Sequence, residues 1–135
     1  MKTISITEPY ASLILNGEKH IETRSWKTNY RGEILIHASA TKVTLNSAMK
    51  KWGLTRDEYW KLLERAKYVH HGFIIAKAKL VDCVKMTSEW IDTLSESERT
   101  AGFYSEGRYG WILEDVTPVE FTKAKGKLGL WEGKL

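Results

Sequence analysis

The sequence has few of the residues that build disulfide-linked or metal-binding folds. It contains one cysteine, Cys83, so an internal disulfide is excluded. The four histidines are scattered, apart from the adjacent His70 and His71, whose side chains diverge in most backbones, and no C-x-x-C pair occurs. We therefore expect no metal site and no cofactor.

Long apolar runs and familiar nucleophile motifs are also missing. No run approaches the roughly 18 apolar residues of a membrane-spanning helix, and the opening MKTISITEPY has no apolar signal core. Neither a phosphate-binding glycine loop nor a G-x-S-x-G motif occurs. We expect a cytoplasmic protein without a membrane partner. With no repeat or linker in 135 residues, we expect a single domain over residues 1–135.

Charge is present but only slightly unbalanced. Lys and Arg number 21 against 17 Asp and Glu, giving a net charge of +4, which is compatible with a polyanion partner but does not establish one. Lysines crowd the tail at Lys123, Lys125, Lys127 and Lys134. An acidic segment, residues 89–106, allows a protein-interaction adaptor as another hypothesis, although such runs are usually solvated faces.

The periodicity predicts a mixture of short elements. Alternation indicates strands in TISIT, HIETRSW and EILIHASA, and a long, bent strand in GFIIAKAKLVDCVKM. The helix EPYASLILN should be capped by Thr7 and ended by Gly17. Two helices should lie within residues 41–67, the second opened by a Thr55–Glu58 capping box. We expect a short acidic helix or a loop at SEWIDTL, and two strands in YGWILEDVTPVEF, separated by a turn at Thr117 and Pro118.

These elements do not alternate regularly between strand and helix, which favours an α+β fold over a wound parallel sheet. A small, partly closed and mostly antiparallel β-barrel with helices on its outside fits the pattern best.

The stretch NGEKHIETRSW is the main candidate for chemistry. Period two places Glu22 and Arg24 on one strand face, with Lys19 at the junction just before it. One interpretation is a surface ion pair that contributes about 0 to 1 kcal/mol. The other is a site in which the carboxylate accepts hydrogen bonds from a polar ligand and the cations hold its phosphate. Aromatic residues nearby could stack a base, although aromatics are more often core: Tyr10, Trp26 and Tyr30.

The segment from Glu8 to Ser39 resembles the N-terminal half of an ASCH domain (activating signal cointegrator homology), a branch of the PUA-like superfamily. The family pattern is P-[WY]-A opening a helix, then G-x-K-x-x-E-x-R, a W-x-T-x-x-R-G loop and an apolar strand. The tail KGKLGLW resembles the closing G-x-x-G-[LI]-W of the family, and residues 41–72 align with nothing. The matching residues are Pro9, Tyr10, Ala11, Gly17, Lys19, Glu22, Arg24, Trp26, Thr28, Arg31, Gly32 and Ala38.

The resemblance implies a five- or six-stranded PUA-like barrel with flanking α-helices and a cleft beside the first helix. It further implies binding of RNA, single-stranded nucleic acid or a nucleoside in that cleft. Glu22 would accept hydrogen bonds from the base, and cations would contact phosphate. The expected nucleic-acid-binding residues are Pro9, Tyr10, Lys19, Glu22, Arg24, Trp26, Arg31, Lys125 and Lys127.

The same family includes amidohydrolases that act on N4-acetylcytidine, and a ribonuclease activity is attributed to it, so the resemblance leaves an enzyme as the alternative. The candidate catalytic residues are then Lys19, Glu22 and Asp82. Glu22 stands where the amidase branch carries a threonine. A lysine base needs a lowered pKa, whereas a neighbouring Glu22 should keep Lys19 charged. The residues therefore favour binding over catalysis.

Overall fold

The computed structural model describes residues 1–135, which form six strands and five helices. The strands are β1 (Lys2–Ile6), β2 (Ile21–Arg24), β3 (Gly32–Ala38), β4 (Phe73–Lys85), β5 (Tyr109–Lys123) and β6 (Leu130–Glu132). The helices are α1 (Tyr10–Leu15), α2 (Leu45–Trp52), α3 (Arg56–Ala66), α4 (Ser88–Asp92) and α5 (Glu96–Arg99). None of these helices has the length and apolar character needed to cross a membrane.

The strands make one mixed sheet in the order β2-β5-β4-β3-β1-β6. Only β1 and β3 pair in parallel, and every other pair is antiparallel. The two longest strands, β4 with 13 residues and β5 with 15, shift register three times along their pairing. Such bulges bend strands, and the sheet curls into a half-barrel. The predicted α+β, mostly antiparallel fold is confirmed.

One strand prediction is wrong. Residues 109–123 form a single strand, β5, rather than two strands around a turn at Thr117 and Pro118. Pro118 lies opposite Ala76, directly beside a register shift between Ile74 and Ala76. Proline has no N–H to donate, and a bulge is one of the few places in a sheet where that donor is not needed. The strand therefore continues through Pro118.

The helix ends agree with local chemistry except at α1. Thr44 caps α2 and Thr55 caps α3 with the predicted capping box to Glu58. The prediction that Thr7 caps α1 is wrong, because that helix begins at Tyr10 after Pro9. The first-turn N–H of Ser12 donates to the Glu8 carboxylate at 2.8 Å instead. The side chain of Thr7 is free to face the cavities described below.

The main core packs α1 against four strands of the sheet. Its 13 buried residues come from α1, β1, β3, β4 and β5, and they include Trp111, which is fully buried. Residues 34–38 of β3 are buried on both strand faces. A smaller cluster of Leu13, Leu62, Ala66 and Ala101 joins α1, α3 and the turn after α5. This second cluster brings the segment after α5 against α1 and creates the site.

Candidate functional site

A cavity of about 280 Å³ opens where α1, β2 and residues 102–108 meet. We call it the Lys19 cavity. Four of its 12 lining residues are hydrophobic, so its wall is mostly polar. The lining residues are Ile6, Thr7, Tyr10, Lys19, Glu22, Thr23, Arg24, Ser25, Trp26, Gly102, Phe103 and Arg108.

Lys19 is turned inward by the chain reversal that ends α1. Gly17 adopts φ +84° after the helix, and the backbone N–H groups of Glu18 and Lys19 both donate to the carbonyl of Leu13. The Lys19 residue is 1% exposed, and its Nζ has no hydrogen-bond partner. The rings of Tyr10 and Tyr104 each lie 5.5 Å from Nζ. Aromatic faces compensate only part of the loss of hydration of the ammonium group. The Lys19 Nζ is therefore a strong hydrogen-bond donor without a partner inside the cavity.

Burial lowers the pKa of Lys19, although the nearby charges of Glu22 and Glu98 oppose that shift and the charge of Arg65 adds to it. The direction of this shift is opposite to the one expected from Glu22 alone, because loss of hydration outweighs the attraction. A buried amine with a lowered pKa releases its proton more easily than an exposed lysine, and it can donate a hydrogen bond to an acceptor on a ligand.

Glu22 and Arg24 form the predicted same-face pair. The Arg24 Nη2 lies 3.0 Å from the Glu22 Oε2 and also donates to the carbonyl of Ser5 on β1 at 2.6 Å. The other carboxylate oxygen of Glu22 accepts from the N–H of Thr23 at 3.1 Å. Arg24 thus links the β2 edge to β1. Its Nε is buried and has no partner, which is a second unsatisfied donor at this site.

Aromatic and cationic side chains frame the mouth of the cavity. Trp26 is 38% exposed and stands edge-to-face on Trp111, with ring centroids 4.9 Å apart. The Arg108 guanidinium lies 4.7 Å from the centre of the Phe103 ring and donates through Nε to the Phe103 carbonyl. Burial lowers the pKa of Arg108, opposed by the charge of Glu22. Burial also raises the pKa of the Tyr10 hydroxyl, assisted by Glu22.

Sequence reasoning missed the contribution of the acidic segment. Glu98 of α5 is 7% exposed, and its carboxylate accepts from the N–H of His20 at 3.0 Å and the hydroxyl of Tyr104 at 3.0 Å. Burial, together with Glu98, raises the pKa of Tyr104. Two signals could have located this turn: the S-x-x-E cap at Ser95, whose hydroxyl accepts from the Glu98 N–H, and the apolar residues that follow it. Glu98 belongs to the wall behind Lys19 rather than to a solvated face.

A second cavity of about 490 Å³ adjoins the first. We call it the lysine groove, because Lys125 and Lys127 line it. It shares Thr7 and Arg24 with the Lys19 cavity, so these two side chains lie between the two spaces. The structure thus places both tail lysines of the predicted set beside the cavity. The groove is otherwise lined by Ser5, Ser39, Ala40, Thr41, Gly126, Leu128 and Gly129.

Four candidate residues of the sequence line neither space, namely Pro9, Tyr30, Arg31 and Asp82, so the structure does not bring Asp82 together with Lys19 and Glu22. Pro9 is buried at the start of α1. Arg31 donates to the carbonyls of Thr28 and Tyr30 at 3.0 and 2.8 Å, and it lies 3.7 Å from an exposed Asp82 carboxylate. The arginine of the W-x-T-x-x-R-G motif therefore stabilises the loop that contains it. Tyr30 likewise donates to the Glu33 carbonyl instead of facing the cavity.

His37 and His20 contact other residues of the fold. His37 is fully buried, with its two ring nitrogens 2.9 Å from the Ser5 hydroxyl and 2.8 Å from the Ala124 carbonyl. His20 is paired with Glu98. The structure contains no group of three His, Cys, Asp or Glu side chains placed to hold a metal ion.

Comparison with known proteins gives consistent matches. The family model of the ASCH domain matches residues 4–123. Activating signal cointegrator 1 of Homo sapiens is 31% identical over 81 residues, which cover 60% of this chain and 14% of that protein. The Mus musculus protein of the same name is 26% identical over 103 residues, covering 74% and 18%. The chain therefore spans less than a fifth of the length of these curated relatives.

A solved structure extends the comparison to the fold. A crystal structure of a point mutant of an ASCH protein from Zymomonas mobilis superposes with a TM-score of 0.52 at 18% identity. The superposition covers 90% of this chain and 74% of that one. At this identity the likeness concerns the fold alone.

Proposed function

This chain belongs to the ASCH domain family, a family generally proposed to bind RNA, and on that premise we propose that it holds one base of a single-stranded RNA in the Lys19 cavity. Sequence-specific RNA recognition usually takes an unstacked base into a pocket that contacts its polar edge and its faces. The cavity described above offers both kinds of contact.

The observation that carries the proposal is the unpartnered Nζ of Lys19. Buried polar groups are nearly always hydrogen-bonded, and an exception calls for an explanation. The buried Nε of Arg24 is a second exception at the same place. Two unpartnered donors beside the Glu22 carboxylate suit a ligand that presents both hydrogen-bond acceptors and donors, as nucleobases do.

Size and shape support a single base. Ligand cavities for drug-sized molecules occupy about 300 to 1,000 Å³, and the Lys19 cavity, at about 280 Å³, lies just below that range. Three aromatic residues at its wall, Tyr10, Trp26 and Phe103, offer faces or edges for contact with a base. Stacking of this kind is worth about 1 to 3 kcal/mol per base.

The lysine groove supports an extended ligand. Because the groove meets the Lys19 cavity at Thr7 and Arg24, a nucleotide whose base enters the cavity can pass its phosphate toward Lys125 and Lys127. Three basic side chains line the cavity, Lys19, Arg24 and Arg108, against the single acidic side chain of Glu22. This charge pattern favours an anionic ligand.

The test is a titration of single nucleosides and of a fluorescent single-stranded RNA with the wild type and with Glu22→Gln. We expect the variant to weaken both by about tenfold or more, since a tenfold loss corresponds to about 1.4 kcal/mol. The matched control is Glu33→Gln, which alters an exposed carboxylate paired with Lys77 at 3.1 Å. Equal effects of the two variants, or no binding of any nucleoside, would contradict the proposal.

Gly102→Ala tests the cavity without changing its charge. A Cβ at position 102 would lie 2.7 Å from the Lys19 Nζ and 2.8 Å from the Tyr104 ring, too close for either contact to remain. The added methyl group therefore displaces these side chains and changes the shape of the Lys19 cavity. We expect nucleoside binding to fall at least as far as in Glu22→Gln. Unchanged binding would place the ligand elsewhere.

A second candidate function, hydrolysis of an acylated nucleoside, is favoured by the lowered pKa of Lys19. A neutral Lys19 amine could take a proton from a water that adds to the acyl carbon. The proton would then pass to the leaving amine as the C–N bond breaks, giving a carboxylic acid and the free nucleoside.

Incubation with N4-acetylcytidine, followed by measurement of cytidine release, tests this second candidate. A lysine base predicts a rate that falls as the pH drops through the pKa of Lys19, and a rate that is abolished in Lys19→Met. Binding of the compound without release of cytidine would leave recognition as the function of the cavity.

A further inference from the structure

The lysine groove is lined by basic and hydroxyl-bearing side chains but by no acidic one. Its 11 lining residues include three basic side chains, Arg24, Lys125 and Lys127, and no Asp or Glu. Both lysines are exposed, and neither forms an ion pair. Two lysines of β4, in contrast, each pair with a carboxylate. A concave surface with this excess of positive charge favours an anionic ligand.

One wall of the groove is a loop, residues 125–129, with the sequence KGKLG. All five of these residues line the groove. None of their five backbone N–H groups donates a hydrogen bond to another group of the chain. Successive backbone N–H groups without internal partners form anion-binding concavities in other proteins. The loop therefore adds neutral donors to the positive charge of its two lysines.

Buried side chains fix the start of this loop. The Nε2 of His37 lies 2.8 Å from the Ala124 carbonyl, and because a carbonyl only accepts, Nε2 is the donor. In the neutral ring Nδ1 then accepts from the Ser5 hydroxyl at 2.9 Å. A Cβ on Gly126 would lie 2.7 Å from the Ser5 Oγ and 2.9 Å from the His37 ring. The backbone of the loop therefore packs directly on β1 and β3, and the wall of the groove is preformed.

Hydroxyl groups add further donors to the groove. Those of Thr7, Ser39 and Thr41 line it, and none of the three donates to an acceptor in the chain. The Ser39 hydroxyl only accepts, from the N–H of Thr41 at 3.2 Å. Arg24 contributes its guanidinium, whose buried Nε has no partner. Cations, hydroxyl groups and backbone N–H groups are the three kinds of group that bind phosphate oxygens in proteins.

The set of donors fits a phosphate monoester better than a phosphodiester inside a strand. A monoester carries a charge of about −1.5 to −2 at pH 7 and three strong acceptor oxygens. A phosphodiester carries a single negative charge and has one acceptor oxygen fewer. Three basic side chains, gathered with hydroxyl and N–H donors in one groove, match the larger charge and the additional oxygen.

We propose that the lysine groove binds a phosphate monoester, namely the terminal phosphate of the RNA strand whose end nucleotide places its base in the Lys19 cavity. Thr7 and Arg24 line both spaces, so the base and the phosphate of one nucleotide lie on either side of these two side chains. The identification of RNA rests on the proposed function, whereas the phosphate site depends only on the groove. The inference adds that the domain recognises the end of a strand rather than its interior.

The test compares short single-stranded RNAs of one sequence that carry a 5′-phosphate, a 3′-phosphate or hydroxyl groups at both ends. We expect one of the two phosphorylated RNAs to bind about tenfold more tightly than the hydroxyl form, because charge-assisted hydrogen bonds contribute at least that factor. This gain in affinity should fall as the pH drops through about 6, where the monoester loses its second charge. Inorganic phosphate should compete for the site and reduce the gain. Fluorescence anisotropy measures each affinity.

Two kinds of variant locate the effect in the groove. Lys125→Gln/Lys127→Gln should remove the gain and leave nucleoside binding in the Lys19 cavity unchanged. The matched control is Lys123→Gln/Lys134→Gln, which removes the same charge from two exposed tail lysines that do not line the groove. Gly126→Ala displaces the loop without changing the charge, so the gain should fall here too. Circular dichroism checks that each variant is folded.

The outcomes separate this inference from the proposed function. Equal affinity for phosphorylated and hydroxyl RNAs, or a gain that survives in the Lys125/Lys127 variant, refutes the phosphate site. The base cavity then still stands if Glu22→Gln weakens nucleoside binding. A gain that falls equally in the control variant reflects the general charge of the tail and also overturns the inference. If the gain is lost only in the groove variants while Glu22→Gln changes nothing, the phosphate site stands and the base cavity is refuted.

Discussion

Glu8 and Lys19 are both buried charged-type residues, and they flank the two ends of α1. Glu8 is 2% exposed and Lys19 is 1% exposed. The Glu8 carboxylate accepts from the backbone N–H groups of Ser12 at 2.8 Å and His70 at 2.6 Å, and from the Ser12 hydroxyl at 2.5 Å. The Nζ of Lys19 accepts and donates nothing. The two side chains are thus equally buried, but only Glu8 has hydrogen-bond partners.

This difference in hydrogen bonding distinguishes a buried charge that stabilises the fold from one that is available for function. A carboxylate with three donors is compensated for its lost hydration, and Glu8 fixes the start of α1 to the turn before β4. An uncompensated amine destabilises the fold unless a ligand or a shift in protonation relieves it. Residues of this second kind are found at functional sites, where stability is given up for a poised group.

Glu8→Ala tests the hydrogen-bonded charge and should reduce the free energy of unfolding most. Removing the carboxylate leaves the backbone N–H groups of Ser12 and His70 without their acceptor, each worth about 1 to 3 kcal/mol. The Ser12 hydroxyl keeps the Nδ1 of His70 as a partner at 2.9 Å. We expect the free energy of unfolding to fall by about 3 to 5 kcal/mol, measured by urea denaturation. Glu33→Ala, which breaks an exposed pair, should lose less than about 1 kcal/mol. Similar losses in both would remove the distinction.

Lys19→Met tests the other end and should change stability in the opposite direction. Replacing a buried charged group by an apolar one of similar shape is neutral or stabilising by about 1 to 4 kcal/mol. We expect a gain of about 1 to 3 kcal/mol at pH 7, with loss of ligand binding. A variant less stable than the wild type at pH 7 would show that Lys19 has partners in the fold.

The pH dependence of this gain has a definite sign. Because the folded-state pKa of Lys19 is lowered, the unfolded chain holds an extra proton between the folded pKa and the ordinary value of 10.5. Wild-type stability therefore rises relative to Lys19→Met as the pH increases through that window. The advantage of the variant is largest below the folded pKa and disappears above 10.5. Lys79→Met, at an exposed position, should show no such trend.

Local patterns predicted the elements, and long-range contacts decided the site. The Thr55 capping box and the alternation of β3 depend on neighbours within a few residues, so the sequence was sufficient to predict them. The continuity of β5 through Pro118 depends on a bulge opposite β4, which no local pattern reveals. The burial of Lys19 depends on Tyr104 and Glu98, which follow it in the chain by about 80 residues.

The pair of Glu22 and Arg24 shows the same limit within the site. Period two correctly brought the two side chains together, because it follows from strand geometry alone. The period could not show that the guanidinium also reaches the Ser5 carbonyl on β1, since the curvature of the whole sheet sets that contact. The lysine groove, assembled from β1, the end of β3 and the tail, was equally inaccessible to local reasoning.

Of these substitutions, Glu98→Gln should change the free energy of unfolding least. It tests how a neighbouring charge affects the pKa of Lys19. The charge of Glu98 raises the pKa of Lys19 against the dominant effect of burial, so a neutral side chain should lower that pKa further. The lost charge-assisted bonds to His20 and Tyr104 should reduce the free energy of unfolding by about 1 to 2 kcal/mol. An NMR titration of the Lys19 side-chain carbons measures the pKa directly, and the exposed neighbour variant Glu96→Gln provides the control. A Lys19 pKa that rises in Glu98→Gln would mean that Glu98 stabilises the neutral amine. The amine would then have a partner after all, and the contrast between the two ends of α1 would no longer hold.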